Sequence, residues 1–458
     1  MARQADKLQP VPVWLGRLRM ELRQLAMPVL MSSRRGLLSV SFEVPLTPLD
    51  APPADAQVWQ FWQRPESEHC LLGLGLAHRE TASGSRRFHH LDAVWQGLRG
   101  GWTRISQGHA RPRARAFLGF AFDPGFQPDD AWEGFENALI QIPRLLVEWH
   151  HGCCVISFNC HLDQAGKPEQ LFSRWMDDLD LLLKHTETAE KSVSSCLIRE
   201  QPSAGSWQRQ VADAVNAAER GDLDKVVLSR SLKLRFNRPV EHRRLLSGLA
   251  RRYPGCNILS VSFGGDVLLA ATPERLLHTS AQRVHCDALA GTLPVDARNR
   301  DADMEAHEHA PVVSAIRNAL DPLCKELSVD ECPGRLNLNN LAHLYTAIRG
   351  ELRPGIRAMQ ILDRLHPTPA VGGMPRKQAL EWMGQDERWQ RGWYTGGFGW
   401  LGDNNQADLS VLLRCARIHG NRASLYAGAG ITRVSDPQRE LRETEMKFEP
   451  MLRALTEC

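Results

Sequence analysis

The sequence predicts an α+β protein built from antiparallel sheets with helices packed outside them. Three observations predict it. Short β-branched or aromatic runs recur along the whole chain, as in "LLSVSFEV", "CCVISFN", "KVVLSRSLKL" and "NILSVSF". Several are separated by hairpin-length turns rather than by crossover helices, which argues against a βαβ array. Amphipathic helical stretches are interspersed among them, most clearly "WQRQVADAVNAAERGDLD".

The elements follow in order. Leu15, Leu18, Leu22 and Leu25 share one face of a first helix. Arg17, Arg19 and Arg23 suggest a transit peptide, but Asp6 and Glu21 favour an ordinary helix. Residues 37–160 alternate short strands and loops, with "CLLGLGLAH" and "FLGFAF" as further strand candidates. Residues 168–184 read as a helix. The polar, Ser-rich run across 186–206 reads as a junction. It divides the chain into an N-terminal region, 1–200, and a core, 201–458. The helix after it closes at Gly221. Strands are then expected at 225–234, 257–263, 266–272, 393–401, 407–418 and 423–431. Helices are expected at 241–252, 303–321, 356–364, 376–384 and 437–456.

Composition excludes several classes. A chain of 458 residues with 43% hydrophobic content can bury a large core. The net charge of +3 and the absence of a basic block give no nucleic-acid footprint. No apolar run reaches transmembrane length. Eleven scattered cysteines without a CxxC pair read as reduced, cytoplasmic, core-filling thiols and offer no zinc spacing. "GFGWLG" (397–402) matches GxGxxG in form only, because a turn and another strand follow it.

Some stretches carry chemistry. Lys225 opens a strand that reads as buried, a costly place for an ammonium group unless it snorkels or reacts. Glu274, in "TPERLL", lies between two apolar stretches. It is either exposed in a turn or a partly buried acid with a raised pKa. Asp436 and Pro437 start the last helix as N-cap and first residue. Glu440, Glu443 and Lys447 then share one face, either as a solvated i,i+4 pair or as a carboxylate pair for a hard cation beside a lysine. Glu305 and Glu308 form a second acidic pair. His285, His307 and His309 lack zinc spacing and read as surface histidines. "YAGAGI" (426–431) reads as a strand entering a Gly-rich turn, and "LHPTPAVGGMP" (365–375) as a rigid pocket-shaping loop.

Taken together these stretches resemble the chorismate-utilising enzyme family. The likeness covers residues 205–458 in the order KVVLSR, PERLL, AGT, EH, HPTPAVGG, RGWY, RCA, AGAGI and ETxxK. It is weaker before residue 186, chiefly at "LGFAFDP". It implies large antiparallel sheets packed as a sandwich, with the N-terminal region completing the same fold. Within the family the pattern resembles the isochorismate synthases. Ammonia-adding members carry Gln where Lys225 stands, and aminodeoxychorismate synthases a Lys where Ala290 stands. Ala370, Val371 and Gly372 depart from the Thr and Ser-Gly of the anthranilate and salicylate synthases.

The resemblance implies that water adds to C2 of chorismate and the C4 hydroxyl leaves. Lys225 would be the general base and Glu274 the general acid. It implies Mg²⁺ on Glu308 and Glu443, with Glu440 and Glu305 as nearby ligands. Arg414 would grip the enolpyruvyl carboxylate. Gly428, through its N–H, and Lys447 would touch carboxylates. Gly291, Thr292, His343 and Ala370 would line the pocket. The product would feed menaquinone or siderophore and salicylate synthesis, in a monomer or homodimer without nucleic-acid or membrane partners. The alternatives are a salicylate synthase and a non-catalytic chorismate-binding regulator. Pro311, three residues after Glu308, departs from the family pattern and predicts a helix that begins nearby or a displaced Glu308.

Overall fold

The computed structural model describes residues 13–108, 110, 113–129, 132–184, 195–294, 299–338, 341–386 and 390–456. Among them are two large sheets, one of thirteen strands and one of ten. The strand pairs are antiparallel except for Leu37–Glu43 beside Thr103–Gln107. The expected α+β sandwich with outer helices is the architecture found.

The sheets face each other across an aromatic layer. Trp62 of the larger sheet meets Trp400 of the smaller edge-to-face, with centroids 6.0 Å apart. Leu71, Val261 and Leu268 from one side and Phe117, Leu139 and Phe398 from the other fill the same layer. The outer face of the larger sheet is covered by the helices Val13–Leu30, Pro168–Leu183, His242–Arg252 and Pro437–Thr456. The smaller sheet is covered by Arg87–Gly100, Asn299–Leu320 and Ala358–Leu365. Each helix buries one apolar stripe, as Leu15, Leu18 and Leu22 do in the first.

Both sheets run continuously between early and late parts of the chain. Ile258 pairs with Gln63 in the larger sheet, and Phe398 with Gly119 in the smaller. Part of the stretch read as a junction, within residues 195–206, is regular structure. Ser195–Gln201 is an edge strand on Lys225–Phe236, and a helix starts at Ala204 with Ser203 as its N-cap. An edge strand held by backbone bonds needs no apolar alternation, so its polar sequence hid it.

Two further expectations are corrected. The 407–418 run is not one strand. Ala407–Val411 belongs to the smaller sheet and Cys415–His419 to the larger, with Leu412–Arg414 crossing between them. "YAGAGI" is strand throughout, within Arg422–Ile431. Its glycines serve close approach rather than a turn.

Candidate active site

A cleft of about 770 Å³ opens between the sheets, lined by residues of both. Lys225 starts the strand Lys225–Phe236 of the larger sheet and is 5% exposed. Alternation turns Val226 and Leu228 toward the outer helices, and Lys225 and Val227 line the cleft. The Lys225 Nζ donates to Glu308 Oε1 at 2.6 Å. Gly430 makes this pair possible. A Cβ there would lie 2.4 Å from Lys225 Cε and 2.7 Å from Glu308 Oε1.

Glu274 stands where the chain passes from the larger sheet, at Thr272, to the smaller, at Arg275. The crossing at Leu412–Arg414 lies against it. Thr272 Oγ1 donates to Val411 O at 2.7 Å, and Val411 N to Glu274 O at 3.1 Å. Glu274 is 3% exposed. Burial, and then the Asp287 carboxylate, raise its pKa from 4.5 to about 8 against the pull of Lys225 and Lys447. Of the two readings its sequence allowed, the buried acid is the one found.

Arg414 ends the second crossing with φ +47, a left-handed conformation uncommon outside glycine. Its NH2 lies 2.8 Å from His343 Nε2, while His343 Nδ1 lies 3.1 Å from Gly291 O. The carbonyl accepts from Nδ1–H, so the proton stays on Nδ1, Nε2 accepts from the arginine and the ring is neutral. Burial, then Arg414 and Lys447, lower the His343 pKa to about 3. His343 therefore orients Arg414 and is not placed to supply a proton.

The last helix starts as expected, with Asp436 Oδ1 accepting from Gln438 N and Arg439 N. Lys447 Nζ donates to Gly428 O at 2.9 Å and lies 2.7 Å from Glu443 Oε1. Burial opposes the Lys447 charge, but Glu443, Glu308 and Glu440 outweigh it and raise its pKa. Burial opposes the Glu308 charge too, and Lys225 and Lys447 outweigh that and lower its pKa. Glu440 is 7% exposed and sits behind the cleft wall, not on it. Burial, then Glu443, raise its pKa to about 8.

Glu308 lies on the helix Asn299–Leu320, which runs through Pro311. The helix does not begin at the proline. Pro311 removes one backbone bond, toward the carbonyl of residue 307, and the helix tolerates the loss. His309, expected at the surface, is 2% exposed, and its Nε2 lies 2.8 Å from Thr346 Oγ1. It follows Glu308 by one residue and so points to another side of the helix.

Ala370 and Gly291 line the cleft. Thr292 pairs with His343 in the sheet register, but its side chain and that of Glu305 lie outside the described residues. Sequence reasoning missed Tyr394, Thr395 and Tyr426, which also line the cleft. Tyr394 and Tyr426 stack with centroids 5.4 Å apart. Both stood inside stretches already singled out, "RGWY" and "YAGAGI". Thr395 carries φ +60, unusual for a β-branched residue and invisible in sequence.

The cleft thus gathers three cationic side chains, two carboxylates and one protonated acid. Its cationic groups suit a small polycarboxylate. Glu308 and Glu443 are the carboxylates on its wall that could hold a hard cation. Among the described residues no three His, Cys, Asp or Glu are gathered closely enough to hold a metal unaided. No described helix is long and apolar enough to cross a membrane.

Residues 24–456 match the family described as chorismate binding enzyme. The chain is 32% identical over 446 residues to the salicylate biosynthesis isochorismate synthase of Pseudomonas aeruginosa, covering 92% of this chain and 90% of that protein. It is 26% identical over 424 residues to the isochorismate synthase MenF of Bacillus subtilis, covering 86% and 87%. Among solved structures, MenF, the menaquinone-specific isochorismate synthase from Escherichia coli, aligns with TM-score 0.77 and 26% identity, covering 96% of this chain and 99% of that one. Anthranilate synthase component I from Streptococcus pneumoniae, at 20% identity and TM-score 0.63, shares the fold.

Proposed function

This chain belongs to the chorismate-binding enzyme family, and from that premise we propose that it is an isochorismate synthase. It would convert chorismate to isochorismate by adding water at C2 and expelling the C4 hydroxyl as the double bonds shift. One observation carries the reading. An amine, Lys225, at the start of a strand of the larger sheet and an acid held protonated to about pH 8, Glu274, at a crossing between the sheets, line one cleft.

In this reading Lys225 takes a proton from the attacking water and Glu274 gives one to the departing hydroxyl. Lys225 can accept a proton only as the neutral amine, so its ammonium group must first lose a proton and its ion pair with Glu308 must break. Arg414, oriented by His343, holds the enolpyruvyl carboxylate with a planar fork. Lys447 and the Gly428 backbone face the other carboxylate. The residues fit a divalent cation: Glu308 and Glu443 supply hard oxygen donors, and Glu440 stands buried behind them. Mg²⁺ takes one or two protein carboxylates and completes its shell with water and substrate oxygens. Bound there, Mg²⁺ would neutralise the ring carboxylate. Relatives named for salicylate and for menaquinone both match most of the chain, so the reading stops at isochorismate and assigns it to neither destination.

The test is a product assay. Purified protein is incubated with chorismate, with and without Mg²⁺ and an ammonium salt, and the products are separated by chromatography. Isochorismate formed only with Mg²⁺, without pyruvate and unaffected by ammonium, is expected. Salicylate with pyruvate would make the protein a salicylate synthase instead. No turnover by folded protein would favour a binding regulator, whereas wild-type turnover by Lys225→Ala would remove Lys225 as the base.

A further inference from the structure

Resting on the isochorismate synthase reading, we propose that Arg391 is a positioning residue. It sets the spacing between the strand that carries Lys225 and the loop that carries Ala370 and Val371. Phe122, from the early part of the chain, holds it in place.

The strand and the loop form two walls of the cleft. They are tied at one end by backbone bonds, Asp224 N to Met374 O at 2.8 Å and Val227 N to Gly372 O at 3.0 Å. One residue before Gly372 in the loop, at Val371, the tie is a side chain. Arg391 NH1 donates to Val371 O at 3.0 Å, and NH2 donates to Val227 O at 2.5 Å. Val227 and Val371 both line the cleft. A guanidinium is rigid and planar, so two carbonyls held by one fork are held at a fixed separation. Arg391 is 4% exposed, so water does not compete for these donors.

The fork is aimed by aromatic packing. Its central carbon lies 4.5 Å from the centroid of Phe122. Phe122 follows the strand Arg115–Phe120, and its N–H donates to Gly392 O at 2.9 Å, beside the arginine. The same ring meets His366 edge-on at 6.0 Å. His366 begins the loop and donates from Nε2 to Thr395 O at 2.9 Å. Phe122 therefore packs on the arginine and on the start of the loop together. This gives the region before residue 162 a mechanical part in a site whose chemical groups all come later.

The experiment compares wild type, Arg391→Lys and Phe122→Leu for kcat, for KM toward chorismate and for melting temperature. A lysine is a point donor and cannot span both carbonyls. Displacing a reacting group by about 1 Å costs on the order of 100-fold, so Arg391→Lys should lower kcat by about 10- to 100-fold while KM moves less than about 3-fold. Phe122→Leu should lower kcat in the same direction, by less. If Arg391→Lys does not fold, Phe122→Leu alone decides. Variants that fold with wild-type kcat, or that raise KM at unchanged kcat, would overturn the positioning role. Absence of turnover in wild type would remove the isochorismate synthase reading and this inference with it. Active wild type with indifferent variants would remove this inference alone.

Discussion

Replacing the proposed acid, Glu274→Gln, should make the protein more stable and less active at once. Burial and Asp287 hold the Glu274 carboxyl at about 8 instead of 4.5. Between these values the folded state keeps a proton that the unfolded state has released. Stability therefore falls as pH rises through that window and levels off above about 8. At pH 7 the gap from 4.5 spans about 2.5 pH units, and at about 1.4 kcal/mol each this costs about 3 kcal/mol. Glutamine has nearly the same shape and no such titration. The stability difference, variant minus wild type, should be smallest near pH 5 and grow toward about 3 kcal/mol by pH 7. Urea unfolding at half-unit steps from pH 5 to 8 reads this directly. Product formation by the same variant should fall by about 10²- to 10⁴-fold, the worth of a positioned acid. The wild-type rate should itself decline above about pH 8, as Glu274 loses its proton. A stability difference that does not change with pH, or a variant with wild-type kcat, would refute the reasoning.

Other perturbations separate shape from chemistry. Gly430→Ala should cost little stability, because its Cβ meets the mobile ends of Lys225 and Glu308. It should still lower kcat by at least about tenfold, by displacing the proposed base. Gly373→Ala should do worse on both counts. Its φ is +135, and a Cβ would lie 2.3 Å from Lys225 O, a backbone atom that cannot swing aside. Thermal melting together with turnover distinguishes these two cases. Arg414→Lys should raise KM for chorismate by about tenfold or more, since a charge-assisted bond is worth about 1.5–3 kcal/mol. Steady-state kinetics in which KM stays at the wild-type value would remove Arg414 from the carboxylate site.

Much of this was legible in the sequence where one local rule dominates. Asp436 caps its helix, the leucines of the first helix face inward, and the Lys225 strand is buried, because capping and periodicity act over a few residues. The rest depends on partners far away in the chain. The strand Val58–Arg64 was missed because Gln60 interrupts its apolar run, and that glutamine bonds Gln141 on the other sheet. The break at Leu412–Arg414 is invisible in an unbroken run of strand-forming residues. The glycines of "YAGAGI" carried a true signal, close approach, under the wrong shape. His309 was misjudged because a histidine has no fixed side of preference until Thr346 is known to face it. Lys225, Glu274, Glu308, Arg414 and Glu443 are singled out by ordered motifs, but motif order cannot give the bonds among them, which depend on the fold.

The two crossings between sheets have a consequence for folding. Thr272 and Val411 are separated by 139 positions in sequence and are joined by a buried bond. Glu274, the proposed acid, sits on one crossing, and Arg414, the proposed carboxylate-binding residue, on the other. Neither sheet alone contains a working set of groups, so no activity is expected before the two layers close on each other. Long-range closures of this kind are slow, because loop entropy is lost before the contacts repay it. During refolding, strand and helix signals should return first and catalysis last, making turnover a reporter for the final locking of the sandwich.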